Sequence, residues 1–387
     1  MDDELRRYDA IRPFEPEELP EAYDRLLADG QFRAVLAAAV PGVPFEALAG
    51  EVRKCKSCLD FQVKFCYGFL KRLVKTASDG CDMDCSAVDR AGRYTFVSNH
   101  RDIVLDSALL DMLLIDAGFE TTCEIAIGDN LLAAPWIKDL VRLNKSFIVE
   151  RSAGLREMLA SSKRMADYMH YVIARKHDNI WIAQREGRAK DSDDRTQPSV
   201  LKMMAMGGDG SAIDRLRQLH IVPLAISYEY DPCDYLKAME FQLRRDVPGW
   251  KKTKADDVMS MQTGIMGRKG RIHYHCSTCI DAFLDTLDPA MPKSELFDTV
   301  ARHIDRAIHS NYRLYAGNYV AADTLWPGEG YGEHFTEAER RVFEDYVGGQ
   351  LARIELEGKD EPFLRECILR MYANPVRNNR AALAATV

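Results

Sequence analysis

The chain has 387 residues, of which 47% are hydrophobic and 29% are charged. This is the composition of a globular protein with one large domain or two ordinary ones. The formal net charge of −8 argues against nucleic acid as the main partner. Residues 1–7 lack the apolar core of a signal peptide, and no apolar run approaches the ~18 residues that span a bilayer. We therefore expect a cytoplasmic protein, either soluble or bound to a membrane surface.

The first part of the chain, residues 1–85, shows helical signals, with glycine and proline between its segments. The predicted helices cover residues 16–27, 32–39 and about 45–76. Gly80 and the cysteine-containing segment 81–85 then interrupt the pattern. We therefore expect a helical amino-terminal region that ends at a domain boundary at residue 85.

From residue 86 onward, β and α segments alternate. The predicted strands cover residues 94–98, 121–127, 146–149, 179–183, 220–228 and 271–276. The predicted helices between them cover residues 105–117, 131–140, 155–176 and 199–206. This alternation indicates crossover connections and a largely parallel sheet with helices on both faces. We predict an α/β domain over residues 86–285 with a mostly parallel central sheet, followed by a helical carboxyl-terminal region over 286–387.

Ten cysteines in a chain without a secretion signal indicate reduced thiols. Four of them form Cys-x-x-Cys pairs, Cys55/Cys58 and Cys276/Cys279. Such pairs occur in zinc sites, and His273 and His275 precede the second pair. However, these histidines share one face of a predicted strand while Cys276 points to the other. We therefore favour buried thiols and expect no metal.

The first predicted strand of the α/β domain ends in a polar turn that carries a histidine. It runs into Asn99-His100-Arg101-Asp102, and Asp106 follows on an apolar segment. Histidine is the natural general base near neutral pH, and a carboxylate can fix its tautomer and stabilise the imidazolium. No cysteine or serine nucleophile with its own signature precedes it. We interpret His100 as a base that acts on a substrate hydroxyl, with a purely structural histidine as the alternative.

Two later strands also run into charged residues. The strand over 146–149 is followed by Arg151, and the strand over 179–183 by Glu186-Gly187-Arg188 and Lys190. The planar fork of arginine suits phosphate and carboxylate groups, and glycine permits close approach of a ligand. Surface ion pairs and a solvated charged loop are the alternative interpretation.

These strand ends, in this order and at these separations, resemble motifs of the glycerolipid acyltransferase superfamily. The superfamily includes 1-acylglycerol-3-phosphate and glycerol-3-phosphate acyltransferases. The resemblance covers roughly residues 86–280. The residues that match its four motifs are Asn99, His100 and Asp106; Phe147, Ile148 and Arg151; Glu186, Gly187 and Arg188; and Pro223. The resemblance implies the fold of these enzymes and an acyltransferase activity.

The chain departs from the family pattern in its first and third motifs. The family places four residues between histidine and aspartate, whereas five separate His100 from Asp106. On a helix the extra residue would rotate the carboxylate by about 100°, so a non-helical turn must absorb it. Asp102 is therefore a second candidate partner, with Asp106 favoured. The third motif lacks the residue that the family places between Gly187 and Arg188.

The resemblance also implies a mechanism and a set of site residues. The base takes the proton of an acceptor hydroxyl, which attacks the thioester carbonyl of acyl-CoA or acyl carrier protein. Arg151, Arg188 and Lys190 hold the acceptor's phosphate, and backbone amides near Gly187 stabilise the oxyanion. The predicted catalytic residues are His100, Asp106 and Asp102. The predicted substrate-binding residues are Asn99, Arg101, Arg151, Glu186, Gly187, Arg188, Lys190 and Pro223. No cofactor is implied.

Such an enzyme must meet lipid, and residues 59–75 form a candidate membrane-docking helix. The segment places Phe61, Phe65, Phe69 and Leu73 at four-residue spacing, with lysines and an arginine largely elsewhere. Basic amphipathic helices with aromatic residues suit an anionic interface, although such stripes are more often core. We expect a peripheral protein on the inner face of the cell membrane.

The expected function is therefore transfer of a fatty acyl group to 1-acyl-glycerol-3-phosphate (lysophosphatidic acid) in phospholipid biosynthesis. Glycerol-3-phosphate or a lyso-aminolipid is the alternative acceptor. The sequence Ile226-Ser227-Tyr228-Glu229, which follows Pro223 of the fourth motif, favours the glycerol-3-phosphate branch. A non-catalytic lipid-binding relative and a zinc hydrolase using His273 and His275 are the alternatives from other classes.

Overall fold

The computed structural model describes residues 4–132, 134–150 and 154–385, with the backbone but not the side chain of Leu155. Its strands are β1 Gly80–Asp84, β2 Thr95–Ser98, β3 Cys123–Gly128, β4 Ser146–Val149, β5 Asn179–Ala183, β6 Ile221–Tyr228 and β7 Arg271–Cys276. Within the described residues they form one seven-stranded sheet in the order β1-β7-β6-β2-β5-β3-β4. The five strands from β6 to β4 are parallel, β7 is antiparallel to β6, and β1 is parallel to β7. The prediction of a mostly parallel α/β sheet is confirmed.

The helices surround this sheet and form both ends of the chain. They are α1 Leu19–Ala28, α2 Gly30–Ala39, α3 Phe45–Val52, α4 Cys58–Phe61, α5 Tyr67–Ala77, α6 Leu105–Asp116, α7 Pro135–Leu143, α8 Leu155–Tyr171, α9 Pro198–Met204, α10 Ala212–Arg217, α11 Asp234–Asp246, α12 Lys254–Met266, α13 Asp281–Leu284, α14 Lys293–Ser310, α15 Ala316–Leu325, α16 Glu337–Ala352 and α17 Glu361–Ala384. A π-helical segment, Gln62–Cys66, joins α4 to α5.

The central strands are apolar on both faces because both faces are buried. Phe96 and Trp181 point into a core that α5 and α6 cover. Their neighbours Val97 and Ile182 point into a second core on the opposite face, which α8, α9 and α14 cover. The alternation follows the two-residue period of a strand. Polar residues lie instead in the turns at the carboxyl ends of the parallel strands.

The amino-terminal region differs from its prediction in two places. The segment predicted as a break contains β1, which pairs with β7 in the register Asp82↔His273. The single long helix predicted over residues 45–76 is wrong, because α3 ends at Val52 and a new helix begins after Ser57. The Ser57 side chain caps that helix by accepting a hydrogen bond from the backbone N–H of Asp60 at 3.0 Å. The first strand therefore precedes the boundary predicted at residue 85, and the domain boundaries stay predictions.

The aromatic stripe proposed as a membrane-docking face is buried. Phe61 and Phe65 are 2% and 6% exposed, with ring centroids 5.2 Å apart in the core of the amino-terminal helices. Leu73 is 7% exposed and lies in the core beneath the sheet. The stripe is packing surface, so the prediction of a docking face on it is wrong. Within the described part of the chain, no helix is both long and apolar enough to cross a membrane.

The two cysteine pairs lie in different cores, so they do not form one four-cysteine site. Cys58 belongs to the amino-terminal helical core, and Cys276 lies beneath the sheet. His273 and His275 face the carboxylates of Asp82 and Asp84 on the neighbouring strand β1. The histidines that suggested a zinc hydrolase are thus paired with acids of the edge strand β1.

Candidate active site

His100 lies in a turn at the carboxyl edge of the parallel sheet, directly after β2. This edge is where α/β proteins place ligand sites. Residues 101–104 are non-helical, and α6 begins at Leu105. The turn accommodates the extra residue between His100 and Asp106, because the chain need not follow a helical rotation until the aspartate is reached. The side chain of His100 is 14% exposed, so one edge of its ring can still meet a ligand.

Asp106 is the carboxylate that the structure brings against the histidine. His100 Nδ1 lies 2.8 Å from Asp106 Oδ2. The same oxygen accepts the backbone N–H groups of Arg101 at 2.6 Å and Asp102 at 3.0 Å. Because an oxygen with three donors around it acts as an acceptor, His100 donates from Nδ1 and its Nε2 carries the free lone pair. This is the tautomer that a base needs.

Asp102 has a different role in the same turn. Its Oδ1 accepts the backbone N–H groups of Val104 and Leu105, each at 2.8 Å, which stabilises the start of α6. Burial, together with the charge of Asp106, raises the pKa of Asp102, while the backbone donors and the charge of Arg188 oppose this. Of the two candidate partners, Asp106 contacts the His100 ring and Asp102 caps the helix.

The two residues on either side of His100 are held by the protein. Asn99 is fully buried; its Nδ2 donates to Ile226 O at 2.9 Å, and its Oδ1 accepts from Ile226 N at 2.8 Å. Asn99 thereby extends the pairing of β2 with β6 beyond the strand end. The Arg101 guanidinium is 3.5 Å from the buried carboxylate of Asp194 and lies over the Tyr312 ring.

The loop after β5 carries cations with unused hydrogen-bonding capacity. Arg185 Nε and Arg188 Nη1 are buried and lack a hydrogen-bond partner among the described residues. The charge of Arg188 acts on Asp102, so the guanidinium lies within electrostatic range of the catalytic turn. Lys190 contacts Glu240 of α11. Gly187 is exposed with φ of +66°, a left-handed conformation that glycine adopts at little cost.

The carboxyl edge of the sheet thus carries an imidazole oriented by a carboxylate. In the loop after β5, one buried nitrogen of Arg185 and one of Arg188 lack a hydrogen-bond partner among the described residues. Residues 84–227, from the end of β1 into β6, match the acyltransferase family model. This part of the chain is similar to the acyltransferase family. The match confirms the expected resemblance to acyltransferases over these residues, and the protein is an acyltransferase enzyme.

The chain was also compared with solved structures and with curated proteins. The chain is similar to the 1-acyl-sn-glycerophosphate (LPA) acyltransferase PlsC from Thermotoga maritima, with 10% sequence identity and a TM-score of 0.38. The alignment covers 75% of this chain and 95% of that chain. No curated protein matches the chain.

The remaining predicted site residues of the acyltransferase are Arg151, Glu186 and Pro223. Arg151 lies outside the described residues. Glu186 is exposed, and its backbone N–H donates to Gln197 Oε1 at 2.8 Å. Pro223 is buried in the interior strand β6, where its carbonyl accepts from Ser277 N at 2.9 Å. It lies directly before Leu224, where β6 begins its antiparallel pairing with β7.

Sequence reasoning did not find three residues around the acyltransferase base. The Trp181 ring meets the His100 ring edge-on at 5.7 Å, and its Nε1 donates to Ser98 Oγ at 3.0 Å. Lys237 Nζ is 3.5 Å from Arg101 O. Burial raises the pKa of Asp194, while nearby cations oppose the shift. The apolar run of β5 predicts a buried Trp181, but no local signal connects Lys237 or Asp194 to His100.

Proposed function

We propose that this acyltransferase moves a fatty acyl group from acyl-CoA or acyl carrier protein to the hydroxyl of 1-acyl-glycerol-3-phosphate in phospholipid biosynthesis. The observation that carries the proposal is the bond between His100 Nδ1 and Asp106 Oδ2. This bond leaves Nε2 as a base. The buried guanidinium atoms of Arg185 and Arg188 supply the cationic surroundings that a phosphorylated acceptor needs.

In the proposed reaction, the acceptor hydroxyl oxygen bonds to the thioester carbonyl carbon as its proton passes to His100 Nε2. Asp106 stabilises the resulting imidazolium. The tetrahedral intermediate then collapses, the carbon–sulfur bond breaks, and the departing thiolate takes the proton from His100. Backbone amides near Gly187 stabilise the oxyanion. The histidine returns to its starting tautomer with no other reactant consumed.

The acceptor phosphate is proposed to bind Arg188 and Lys190, together with Arg151. The buried Nη1 of Arg188 has no hydrogen-bond partner within the part of the chain that the structure describes, and a phosphate oxygen is the acceptor that such a group prefers. The reaction is proposed to take place at the inner face of the cell membrane, with the protein peripherally bound, because the acceptor is a lipid.

Glycerol-3-phosphate is the second candidate acceptor. Asp194 is fully buried, and neither of its carboxylate oxygens has a hydrogen-bond partner among the described residues. Glycerol-3-phosphate has a second hydroxyl that could donate to such an oxygen, which 1-acyl-glycerol-3-phosphate lacks. An ammonium group of a lyso-aminolipid would suit the same carboxylate.

The test is acyl transfer from palmitoyl-CoA and from palmitoyl acyl carrier protein to these three acceptors. We expect transfer to 1-acyl-glycerol-3-phosphate by the parent protein and a loss of about 10²–10⁴-fold in His100→Ala. His334→Ala, an exposed histidine elsewhere, is the control that keeps parental activity. Near-parental transfer by His100→Ala would refute the assignment of the base, and a preference for glycerol-3-phosphate would replace the acceptor. Lipid binding without transfer to any acceptor would favour a non-catalytic relative.

A further inference from the structure

Three side chains with metal-binding atoms meet at the edge of the sheet opposite the catalytic turn. His220 directly precedes β6, Cys279 follows β7, and Asp281 begins α13. A ring nitrogen of His220, the Sγ of Cys279 and a carboxylate oxygen of Asp281 all lie within 4.8 Å of one another. None of the three residues belongs to the motifs of the acyltransferase, so the proposed reaction leaves this cluster without a role.

The backbone of the sheet sets the positions of these residues. The N–H of Ile280 donates to the oxygen of Ile221 at 2.9 Å, which joins the segment after β7 to the first residue of β6. His220 and Asp281 lie next to this bond on the two chain segments. His220 Nδ1 is 2.6 Å from Asp281 Oδ2. Two hydrogen-bonded segments therefore hold the imidazole and the carboxylate together.

Two groups of the cluster have capacity that the protein does not use. Asp281 Oδ2 contacts His220, whereas Asp281 Oδ1 is buried and lacks a hydrogen-bond partner among the described residues. A buried oxygen without a partner is costly, and coordination of a metal is one way in which a buried charge is satisfied. Burial raises the pKa of the Cys279 thiol to about 12. The sulfur is therefore a neutral thiol until a metal ion displaces its proton.

The chemistry of the cluster favours zinc. Imidazole nitrogen, thiolate sulfur and carboxylate oxygen are the ligand types of Zn²⁺, whereas Mg²⁺ and Ca²⁺ prefer oxygen. One thiolate and one carboxylate together balance the charge of a divalent ion. With bonds of about 2.0–2.3 Å, the ligand atoms of tetrahedral zinc lie about 3.4–3.6 Å apart, so the side chains need to shift by about 1 Å. His220 can move in this way because its side chain is 46% exposed.

The cluster uses only one cysteine of the second Cys-x-x-Cys pair. Cys276 is fully buried beneath the sheet, with its Sγ 4.0 Å from the Sδ of Met83. Cys279 is partly buried, so an ion can reach it from solvent. The spacing of the pair therefore does not define the site, and the other two ligands come from residues that no cysteine motif predicts.

We propose that His220, Cys279 and Asp281 bind one Zn²⁺ ion, with water as the fourth ligand, and that this ion joins the start of β6 to α13. The ion is structural. The backbone oxygen of His220 accepts from the N–H of Thr95 at the start of β2, whereas His100 follows the end of β2. The four residues of that strand, about 13 Å of extended chain, separate the site from the base. The proposal is thus independent of the acceptor and of the base.

The first measurement is metal binding by the untagged chain after treatment with a chelator. Titration with Zn²⁺ should saturate at one ion per chain, and Co²⁺ should give the intense near-ultraviolet absorption of a cobalt–thiolate bond. Cys279→Ser should abolish this absorption. It should also weaken Zn²⁺ binding by more than the roughly 10–100-fold that follows removal of a residue behind a ligand. Cys276→Ala is the matched control and should bind both ions like the parent.

His220→Asn keeps the test valid if Cys279→Ser does not fold. The φ of His220 is +46°, a left-handed conformation that asparagine tolerates, so the variant removes the imidazole without straining the backbone. It should weaken Zn²⁺ binding as Cys279→Ser does. Zn²⁺ should raise the unfolding temperature of the parent and of Cys276→Ala, but not that of either ligand variant.

Four outcomes would overturn the zinc site. They are saturation below one ion per chain, Zn²⁺ binding that survives in Cys279→Ser or in His220→Asn, an equal loss in Cys276→Ala, and a loss in His273→Gln, which would place the ion between β1 and β7. Acyl transfer that stops on chelation while the protein stays folded would overturn the structural role.

Discussion

The catalytic turn and the loop that follows β5 differ in how many of their buried polar atoms have hydrogen-bond partners. In the turn over residues 99–106, the polar atoms of Asn99, His100 Nδ1 and one oxygen of Asp106 all have partners. In the loop over residues 184–197, atoms of Arg185, Arg188 and Asp194 are buried without hydrogen bonds among the described residues. The protein therefore completes the base by itself, whereas the loop has capacity that a ligand can fill.

The difference has an energetic meaning. A buried polar group that lacks a partner costs roughly 1–3 kcal/mol. Among the described residues the loop contains five such side-chain atoms and the turn one, Asp106 Oδ1, so the free protein carries a larger cost in the loop. A phosphorylated ligand that pairs with these guanidinium groups offsets this cost. We therefore expect substitutions in the turn to lower kcat, and substitutions in the loop to raise the KM of the acceptor.

The largest expected effect distinguishes the two aspartates of the turn. In Asp106→Asn, an amide oxygen at the position of Oδ2 keeps the three hydrogen bonds, but the charge that stabilises the imidazolium is lost. We expect kcat to fall about 10²–10⁴-fold. The measurement is steady-state transfer, with the unfolding temperature recorded to show that the variant folds.

Asp102→Asn is the matched control, because it changes a second buried carboxylate four residues away. Its amide oxygen can still accept from Val104 and Leu105, so we expect kcat to remain within about tenfold. If Asp102→Asn is the more damaging variant for kcat while both proteins remain folded, the assignment of the partner is reversed.

The next effect concerns the loop. Arg188→Gln removes the charge and the planar fork that suit a phosphate, so acceptor kcat/KM should fall about 10–100-fold, mostly through KM. The KM of acyl-CoA should stay within twofold. Arg217→Gln removes an exposed arginine far from the motifs and should leave both constants unchanged. A fall in kcat alone would contradict binding of the phosphate by Arg188.

The sequence predicted six of the seven strands. The five parallel strands from β6 to β4 are apolar runs, and β7 has an alternating pattern. It missed β1, whose Gly-Cys-Asp-Met-Asp composition is unfavourable for a strand. Asp82 and Asp84 are stabilised in β1 by the histidines of β7, an interaction that connects residues distant in the chain. The break between α3 and α4 was missed because the helical pattern continues across it.

For the site, the sequence identified His100 and both candidate carboxylates because they lie within seven residues. It favoured Asp106 but kept Asp102 as an alternative, since the choice depends on the non-helical turn that points Asp106 at the ring and Asp102 at the helix start. Lys237 and Asp194 approach the turn through tertiary packing alone. Phe65 shows the opposite limit: its spacing fits both a membrane face and a core, and only packing decides between them.

The third prediction tests how the loop is supported. His309 of α14 is buried, and its Nε2 donates to the backbone oxygen of Asp194 at 2.8 Å. Burial lowers its pKa to about 4, from about 6.5 in the unfolded chain. Between these values the unfolded chain binds a proton that the folded protein does not, so stability falls as the pH drops from 6.5 to 4, by about 3 kcal/mol in total.

The measurement is urea unfolding of the parent and His309→Gln at pH 7, 5 and 4. The glutamine can donate to the same oxygen without titrating, so the variant should lose about 3 kcal/mol less than the parent across this range. Other buried groups titrate in both proteins and cancel in the difference. Parallel pH profiles would contradict a buried, neutral His309.

The smallest expected effect asks whether the carboxyl-terminal helices position the loop or only stabilise the fold. Asn378 of α17 accepts from Arg195 at 2.8 Å and donates to Asp193 at 3.0 Å, so both of its polar atoms hold the loop. Its neighbour Asn379 instead donates to His309 O at the end of α14. Each substitution should cost ~1 kcal/mol of stability. Asn378→Ala should also raise the acceptor KM two- to fivefold, whereas Asn379→Ala should leave KM unchanged. Equal KM values in the two variants would mean that the helices support the fold alone, and that the loop needs only its own chain to hold Arg188 in place.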